Sequence, residues 1–175
     1  MSDIDIKRLV RTVPDFPKPG VSYKDITPIL SDPEALAAVV DSLAQRYRGR
    51  VDAIVGIESR GFIVGAPLAY ALGVGLAVVR KQGKLPYHTR AVSYQLEYGS
   101  DTLEIHTDAL GSGVRAVVVD DLLATGGTAS AAAQLVTELG AEVVECAFII
   151  ELAFLGGRRR LEPVPCHSLV VYNDE

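Results

Sequence analysis

The chain has 175 residues and a mass of 18.7 kDa, which is long enough for one domain with a buried core. Its 17 basic and 22 acidic residues give a formal net charge of −5, which argues against a nucleic-acid-binding module because such modules need a basic face. No apolar run reaches the roughly 18 residues of a membrane span. The N-terminus lacks the order of a signal peptide, and two cysteines cannot build a disulfide scaffold. These features predict a soluble, cytoplasmic protein.

The first half of the chain alternates amphipathic Ala/Leu-rich runs with short Val/Ile-rich runs, which is the pattern of βαβ units. Residues 31–34 combine a capping side chain with a proline and predict the start of a helix that Gly49 ends. A second helix is expected over residues 61–72, where Pro67 either kinks it or marks its true first turn. Buried strands are expected after these two helices, over residues 53–55 and 76–79.

The second half of the chain begins with residues 81–92, which lack periodicity, are rich in basic side chains and predict a mobile loop. Residues 93–98 and 102–106 alternate around Gly99 and Ser100 and predict a hairpin. Residues 116–119 form a continuous apolar run, typical of a central parallel strand. A helix over residues 129–139 and strands over residues 143–150 and 168–172 complete an α/β fold. We expect an open, mostly parallel twisted sheet flanked by helices, with an antiparallel hairpin added.

The segment after the expected central strand carries the most specific signal, because ligands in open α/β sheets bind beyond the carboxyl ends of strands. Gly126 and Gly127 let the backbone turn tightly and direct N–H groups at a ligand, and the next helix presents its positive end. This pattern predicts a cradle for a phosphate monoester, and the missing Gly-Lys-Ser/Thr ending excludes a Walker A loop. The segment reads Asp120-Asp121-Leu122-Leu123-Ala124-Thr125-Gly126-Gly127-Thr128.

Two carboxylates precede this loop, and they would repel a phosphate. Asp120 and Asp121 are therefore expected to face another part of the same ligand, either ribose hydroxyls or a Mg²⁺ ion bound to them. A solvent-exposed strand end followed by a glycine-rich turn is the alternative interpretation. The order of apolar strand, acidic pair and loop favours the phosphate site.

The same segment resembles the phosphoribosyl pyrophosphate (PRPP) signature of the type I phosphoribosyltransferases. Five further blocks resemble one subfamily, the adenine phosphoribosyltransferases, and the resemblance runs from about residue 10 to the C-terminus. It implies one domain over residues 1–175 with the type I fold, a small hood and base-binding segment over residues 1–30, and a flexible loop and hairpin over residues 81–106. The blocks are Phe16-Pro17-Lys18-Pro19-Gly20, Asp25-Ile26-Thr27-Pro28, Glu58-Ser59-Arg60-Gly61-Phe62, Arg80-Lys81-Gln82-Gly83-Lys84-Leu85-Pro86 and Ser93-Tyr94-Gln95-Leu96-Glu97-Tyr98-Gly99.

The activity implied by the resemblance is transfer of the 5-phosphoribosyl group from PRPP to adenine, giving AMP and pyrophosphate in purine salvage. Mg²⁺ would arrive bound to PRPP, so no direct protein ligands for the metal are expected. The partners implied are the two small substrates and a second copy of the chain in a homodimer, with no nucleic acid and no membrane.

The resemblance also assigns the PRPP-binding residues. Residues 124–128 would bind the 5′-phosphate, and the two aspartates would lie under the ribose hydroxyls. Glu58, Ser59 and Arg60 match the pyrophosphate loop, where the Arg60 guanidinium can engage phosphate oxygens two at a time. The family often has aspartate at position 58. Further positive charge would come from Arg80, Lys81 and Lys84; this region crosses a dimer interface in the family, so some of these side chains are expected to serve the neighbouring subunit.

Glu97 is the expected acid–base residue, placed by the family motif to take the N9 proton of adenine, and Tyr98 is implicated in loop closure. Arg60 completes the expected catalytic set. Without the resemblance, Glu97 would read as a solvent-facing hairpin residue. The adenine site would comprise Ser22, Tyr23, Lys24 and Leu152, with Tyr23 stacking on the purine and main-chain groups reading its edge; a core leucine is an equal interpretation for Leu152.

Other functions compete with this interpretation. A phosphoribosyltransferase for hypoxanthine, guanine or xanthine would read the 6-position differently, and would lack the Phe16–Gly20 block. A non-catalytic PRPP-binding regulator would carry a DNA-binding extension and a basic face, and a nucleotide-binding module without chemistry would not require Glu97 or Arg60. The Arg158–Arg160 triplet is expected to be a solvent-exposed turn, because the protein is acidic overall.

Overall fold

The computed structural model describes residues 5–95 and 99–174, which form helices α1–α6 and strands β1–β9. A 3₁₀ turn, Ala153–Leu155, lies between β8 and α6. Among the described residues, we find no helix with the length and apolar character needed to span a membrane. In chain order the elements are α1 (Ile6–Leu9), β1 (Arg11–Val13), β2 (Tyr23–Asp25), α2 (Thr27–Ser31), α3 (Pro33–Tyr47), β3 (Ala53–Ile57), α4 (Arg60–Leu72), β4 (Gly75–Lys81), β5 (Thr89–Gln95), β6 (Ser100–His106), β7 (Arg115–Leu123), α5 (Gly127–Glu138), β8 (Glu142–Leu152), α6 (Gly157–Leu161) and β9 (Cys166–Tyr172).

The main sheet has the strand order β5-β6-β4-β3-β7-β8-β9. Strands β4, β3, β7, β8 and β9 run parallel, whereas β5 and β6 form an antiparallel hairpin joined to β4. The predicted fold class is therefore confirmed, with β7 inside the sheet between β3 and β8. All five parallel strands end at the same edge, so the segments that follow them meet there.

Helices cover both faces of the sheet because successive strand residues point in opposite directions. Val55 and Val118 pack into the core cluster on the face covered by α5. Ile54 and Val117, each one residue earlier, pack into a second cluster with residues of α3 and α4. These central strands are apolar on both faces, which explains why they read as continuous apolar runs.

Several element boundaries differ from the sequence expectation. Helix α4 begins at Arg60 and contains Pro67 in its interior, so the interpretation of Pro67 as a first-turn residue is wrong. The expected loop over residues 81–92 is also wrong in part, since residues 89–92 belong to β5 and pair with residues 103–106. The β6 partner supplies hydrogen bonds that the irregular sequence of this stretch does not reveal.

Residues 11–25 form a small unit beside the main sheet. Strands β1 and β2 pair antiparallel, with Val13 opposite Tyr23 and Arg11 opposite Asp25. The hydroxyl and backbone N–H of Thr27 donate to Asp25, at 2.7 and 2.9 Å, and fix the start of α2. Because α2 packs against the core through the fully buried Ile29, this unit is attached firmly to the main sheet.

Candidate active site

The loop after β7 begins helix α5 and encloses a small cavity. The cavity has a volume of about 90 Å³ and is lined by Asp120 and residues 122–129. Gly126 has φ +81° and directly precedes α5, and a β-carbon there would overlap the backbone oxygen of Gly157. A glycine is therefore required at this turn, and the predicted phosphate residues line one cavity at a helix N-terminus.

The start of α4 lies directly against the end of β7. A β-carbon at Gly61 would lie 2.5 Å from the backbone oxygen of Val119 and 3.2 Å from Asp120 Oδ1. This close approach lets Arg60 Nε donate a hydrogen bond to Asp121 Oδ2, across a sequence separation of 61 residues. The predicted pyrophosphate loop and the predicted ribose-binding acids therefore form one cluster.

The two acids of this cluster have different environments. Burial and the neighbouring Asp121 carboxylate raise the pKa of Asp120 well above its usual value. Asp121 is 5% exposed and is paired with Arg60. Partial burial acts to lower the pKa of Arg60, but pairing with Asp121 outweighs it and raises the pKa. The Arg60 guanidinium is thus already paired with the Asp121 carboxylate beside Asp120, without a ligand.

Glu58 holds the predicted pyrophosphate cations in place. Its carboxylate accepts hydrogen bonds from Lys84 Nζ (2.5 Å), from the Lys81 backbone N–H (3.1 Å), and from Arg80 Nε and Nη2 (3.3 and 3.4 Å). Partial burial acts to raise the pKa of Glu58, yet these hydrogen bonds together lower it to about 2. Glu58 is therefore ionised at neutral pH and fixes Arg80 and Lys84 beside Ser59 and Arg60.

The Lys81 side chain points to a different partner. Its Nζ lies 2.9 Å from Asp101 Oδ2, and this pairing raises the pKa of Lys81 and lowers that of Asp101. The backbone of Lys81 thus contacts Glu58 while its ammonium contacts the hairpin. Of the three predicted loop cations, only Arg80 and Lys84 carry their charge to Glu58 in the described residues.

The predicted adenine residues lie in and beside β2. The rings of Tyr23 and Phe16 pack edge to face with centroids 5.2 Å apart, so Phe16 supports one side of the Tyr23 ring. Lys24 is 7% exposed, and its Nζ donates to Ser22 Oγ (3.1 Å) and Thr12 Oγ1 (3.4 Å) and lies 4.8 Å from the Tyr172 ring centroid. The Lys24 side chain therefore serves the packing of β1 and β2.

The remaining predicted residues are placed less completely. Leu152 is buried at the end of β8 and packs in the core cluster shared with Ile26 and Ile29. Glu97 and Tyr98 lie outside the described residues. Their described neighbours in the chain are Gln95, which lines a cavity together with Gly127, and Gly99.

Two groups near the phosphate loop were missed from the sequence. Tyr94 accepts a hydrogen bond from Thr128 Oγ1 at 3.2 Å, and its inward position in the alternating β5 pattern was the only signal. Arg158 belongs to helix α6, where it donates to buried Glu151 at 2.5 and 3.0 Å. The expected solvent exposure of residues 158–160 is confirmed, but the expected turn is wrong, because these residues form helix α6, which Arg158 ties to Glu151.

Known proteins are similar to this chain over nearly its whole length. A family model described as phosphoribosyl transferase domain matches residues 23–166. The adenine phosphoribosyltransferase of Roseiflexus sp. (strain RS-1) is 59% identical over 165 residues, covering 94% of this chain and 96% of that protein. The chain belongs to the adenine phosphoribosyltransferase family. This membership confirms the resemblance drawn from the six sequence blocks.

Solved structures of adenine phosphoribosyltransferases superpose closely on this chain. The Thermoanaerobacter pseudethanolicus protein has a TM-score of 0.92 and 51% identity, with coverage of 95% of this chain and 98% of that one. The Saccharomyces cerevisiae protein, complexed with D-2,5-dideoxy-2,5-imino-altritol 1,6-bisphosphate and adenine, has a TM-score of 0.90 and 41% identity, with coverage of 94% and 96%. They support the adenine interpretation and not the 6-oxopurine or regulator alternatives.

Proposed function

We propose that the chain transfers the 5-phosphoribosyl group of PRPP to N9 of adenine, releasing pyrophosphate and forming AMP. One observation carries this proposal: the anion-binding loop, the acidic pair and a cluster of cations meet at one edge of the sheet. The bisphosphate and adenine bound by the yeast relative belong to the same chemical classes as the two proposed substrates. The reaction needs a highly charged donor to be held in line with the base, so positioning and electrostatics supply most of the rate.

The 5′-phosphate of PRPP is proposed to bind in the cavity of residues 124–128. Its oxygens would accept hydrogen bonds from the loop backbone and from the hydroxyls of Thr125 and Thr128, at the positive end of α5. The ribose hydroxyls would then face Asp120 and Asp121. With its raised pKa, Asp120 is suited to share a proton with a hydroxyl, while the Asp121 carboxylate accepts.

The pyrophosphate is proposed to leave between α4 and the turn after β4. Arg60 would exchange part of its pairing with Asp121 for phosphate oxygens, and the Ser59 and Arg60 backbone lies at the start of α4. Glu58 already orients Arg80 and Lys84 towards this space, so their charge needs little reorganisation when negative charge develops on the leaving group. Lys81 would contribute its charge from the hairpin side.

Adenine is proposed to bind between Tyr23 and Leu152. Tyr23 presents an aromatic face supported by Phe16, and Leu152 would form the apolar wall opposite. The backbone of Ser22 and Lys24 would read the edge of the base. The Lys24 ammonium is engaged by the Ser22 and Thr12 hydroxyls, so its backbone and not its side chain is proposed to face the base.

Glu97 is proposed to remove the N9 proton of adenine as the bond to the ribose forms, and Tyr98 to assist closure over the site. The support is the family motif, together with the position of neighbouring Gln95 beside Gly127 of the phosphate loop. In this mechanism the attacking nitrogen gains a bond to the anomeric carbon, pyrophosphate takes the leaving electron pair, and the proton goes to Glu97.

Mg²⁺ is proposed to enter as the PRPP complex. The donor set agrees with this: Asp121 already binds Arg60, and Asp120 Oδ1 accepts the backbone N–H of Asp121 at 2.9 Å. Two carboxylates so engaged suit contacts to a sugar or to a hydrated ion better than a full protein cage. When bound, the ion neutralises charge on the diphosphate of the donor.

Incubation of the purified protein with PRPP, Mg²⁺ and radiolabelled adenine is expected to yield AMP and pyrophosphate. Hypoxanthine and guanine should be turned over at least about 100-fold less efficiently, because a site built to hydrogen-bond one base edge leaves buried polar groups unpaired with another. Equal or greater use of a 6-oxopurine would contradict the proposed substrate. No AMP at all, from protein that binds AMP, would point to the non-catalytic alternative.

A homodimer acting in the cytoplasm completes the proposal. Helix α4 exposes the apolar side chains of Ile63 near its start and Tyr70 (90% exposed) near its end, and β4 exposes Leu76. Sedimentation of the native protein should give twice the 18.7 kDa chain mass, and Tyr70→Glu should give a monomer. A monomeric native protein would contradict the proposed homodimer.

Cys146 and Cys166 are free thiols, which suits the reducing environment of the proposed cytoplasmic location.

A further inference from the structure

A chain of hydrogen bonds connects the phosphate loop to the β5–β6 hairpin. Thr128 Oγ1 donates to the Tyr94 hydroxyl at 3.2 Å, and that hydroxyl donates to Asp101 Oδ2 at 3.4 Å. The same Asp101 oxygen lies 2.9 Å from Lys81 Nζ. We call Thr128, Tyr94 and Asp101 the Tyr94 relay. The relay links Thr128, a proposed phosphate ligand, to Lys81, a proposed pyrophosphate cation that is paired with Asp101.

The geometry of the hairpin makes the relay mechanically direct. Tyr94 and Asp101 are register partners on β5 and β6, so a movement of the hairpin carries both. The Tyr94 ring packs on the loop at Gly127, where a β-carbon would lie 3.2 Å from Tyr94 Cδ2. A tyrosine hydroxyl is protonated at neutral pH, and burial of the ring raises the pKa of Tyr94 further. Tyr94 is therefore a side chain through which the hairpin contacts the phosphate loop, by its ring at Gly127 and by its hydroxyl at Thr128.

The hydrogen bonds of the relay must rearrange when a phosphate binds, because the single Thr128 hydroxyl hydrogen cannot be donated to both Tyr94 and the phosphate. Thr128 has one hydroxyl hydrogen, which points to Tyr94 in the structure. A phosphate accepts hydrogen bonds, so the Thr128 hydroxyl would donate its hydrogen bond to the phosphate instead of to Tyr94. The Thr128 oxygen could then only accept, and Tyr94 would turn its own hydrogen from Asp101 to Thr128. Asp101 would keep Lys81 and the Thr102 backbone N–H at 2.9 Å.

We infer that Tyr94 is a positioning residue that couples occupancy of the 5′-phosphate loop to the placement of the β5–β6 hairpin. With phosphate bound, Tyr94 would donate to Thr128 and Thr128 would donate to the phosphate. Because the phosphate is charged, this chain is stronger and holds the hairpin more tightly to the loop. Residues 96–98 connect β5 to β6 in the sequence and include Glu97. Donor binding would thus prepare the hairpin that carries the proposed base. The inference rests on the proposed function, in that residues 124–128 bind a phosphate monoester.

Hydrogen–deuterium exchange of the full-length protein tests the coupling directly. Saturating ribose 5-phosphate is expected to slow amide exchange in residues 89–95 and 100–106 of the native protein by about 3- to 10-fold, whereas adenine alone should not. In Tyr94→Phe, which keeps the ring and loses the hydroxyl, ribose 5-phosphate should bind about 2- to 10-fold more weakly and give no slowing at saturation. Equal slowing in Tyr94→Phe and the native protein would overturn the inference.

Two further variants separate the relay from a loss of stability. Tyr47→Phe is the matched control, because it removes a 2.6 Å hydrogen bond to buried Glu145 outside the proposed site and should leave the exchange response intact. Asp101→Asn should also keep the response, since a weaker acceptor releases the Tyr94 hydrogen to Thr128 more readily. If ribose 5-phosphate no longer slows exchange in Asp101→Asn, the proposed reversal is contradicted. This test does not depend on whether Tyr94→Phe folds.

Steady-state kinetics give an independent measurement. For Tyr94→Phe we expect KM for PRPP to rise about 2- to 10-fold and kcat to fall, with KM for adenine changed by less than about 2-fold. A merely structural role would raise both KM values together, and that result would overturn the inference. Native protein that binds ribose 5-phosphate but makes no AMP would contradict the proposed function while leaving the coupling measurable.

Discussion

Replacement of Arg60 with methionine is expected to lower kcat/KM for PRPP by about 10²- to 10³-fold. Arg60 is the cation at the start of α4, bound to Asp121 and facing the proposed path of the pyrophosphate. The variant loses charge-assisted contacts that strengthen as the leaving group gains charge, so kcat should fall more than KM rises. Arg60→Lys keeps the charge without the planar fork and should retain about 10-fold more activity than Arg60→Met. Initial rates at varied PRPP measure both effects.

The same change is expected to destabilise the fold, since it leaves the buried Asp121 carboxylate unpaired beside Asp120. We expect a loss of about 1–3 kcal/mol in the free energy of unfolding, below the value for a fully buried pair because part of Arg60 contacts solvent. The double variant with Asp121→Asn should recover much of this stability without recovering activity. Arg60→Met that keeps more than about a tenth of the native kcat/KM would contradict the catalytic role of Arg60.

Replacement of Glu97 with glutamine is expected to lower the rate of the chemical step by about 10²- to 10⁴-fold, because the amide keeps the size of the side chain but cannot accept the N9 proton. The KM values for both substrates should change by less than about 3-fold. Single-turnover measurements with rapid quenching are required, since slow product release would hide part of the effect in steady-state kcat.

Glu142→Gln is the matched control for this substitution. Glu142 is an exposed glutamate at the first residue of β8, at the opposite end of that strand from Leu152. It should therefore leave both the single-turnover rate and the KM values unchanged. A Glu97→Gln protein with a native single-turnover rate would contradict the proposed role of Glu97 as the base.

The described geometry suggests that much of the site is assembled before the donor binds. Arg60 is held by Asp121, Arg80 and Lys84 are held by Glu58, and Lys81 is held by Asp101. Each cation therefore has a carboxylate partner that fixes it near the proposed pyrophosphate path. Because the cations are already oriented, binding of an anionic donor mainly exchanges one set of charge-assisted contacts for another. This local arrangement explains how a protein of net charge −5 can attract a densely anionic substrate.

The alternating α/β order and the phosphate loop were predictable because their signals are local. A capped helix start such as Asp32-Pro33, an apolar run such as residues 116–119, and a glycine pair before a helix each express their structure within a few residues. The end of the central strand was not predictable in this way: β7 runs to Leu123, so Asp120 and Asp121 lie within the strand and not after it. The family blocks added roles that no local pattern contains, among them the expected role of Glu97.

Other features depended on strand order and register, which periodicity does not encode. Glu58 joins Arg80 and Lys84 across 22 and 26 residues, and Thr128 joins Tyr94 across 34, only because β3, β4 and the hairpin adjoin in space. The strand character of residues 89–92 likewise came from pairing with β6. The sequence by itself determined the order of elements and the glycine turn that begins α5, because both are local. The tertiary structure alone decided which charged groups form ion pairs, because pairing depends on distance in space and not on separation in the sequence.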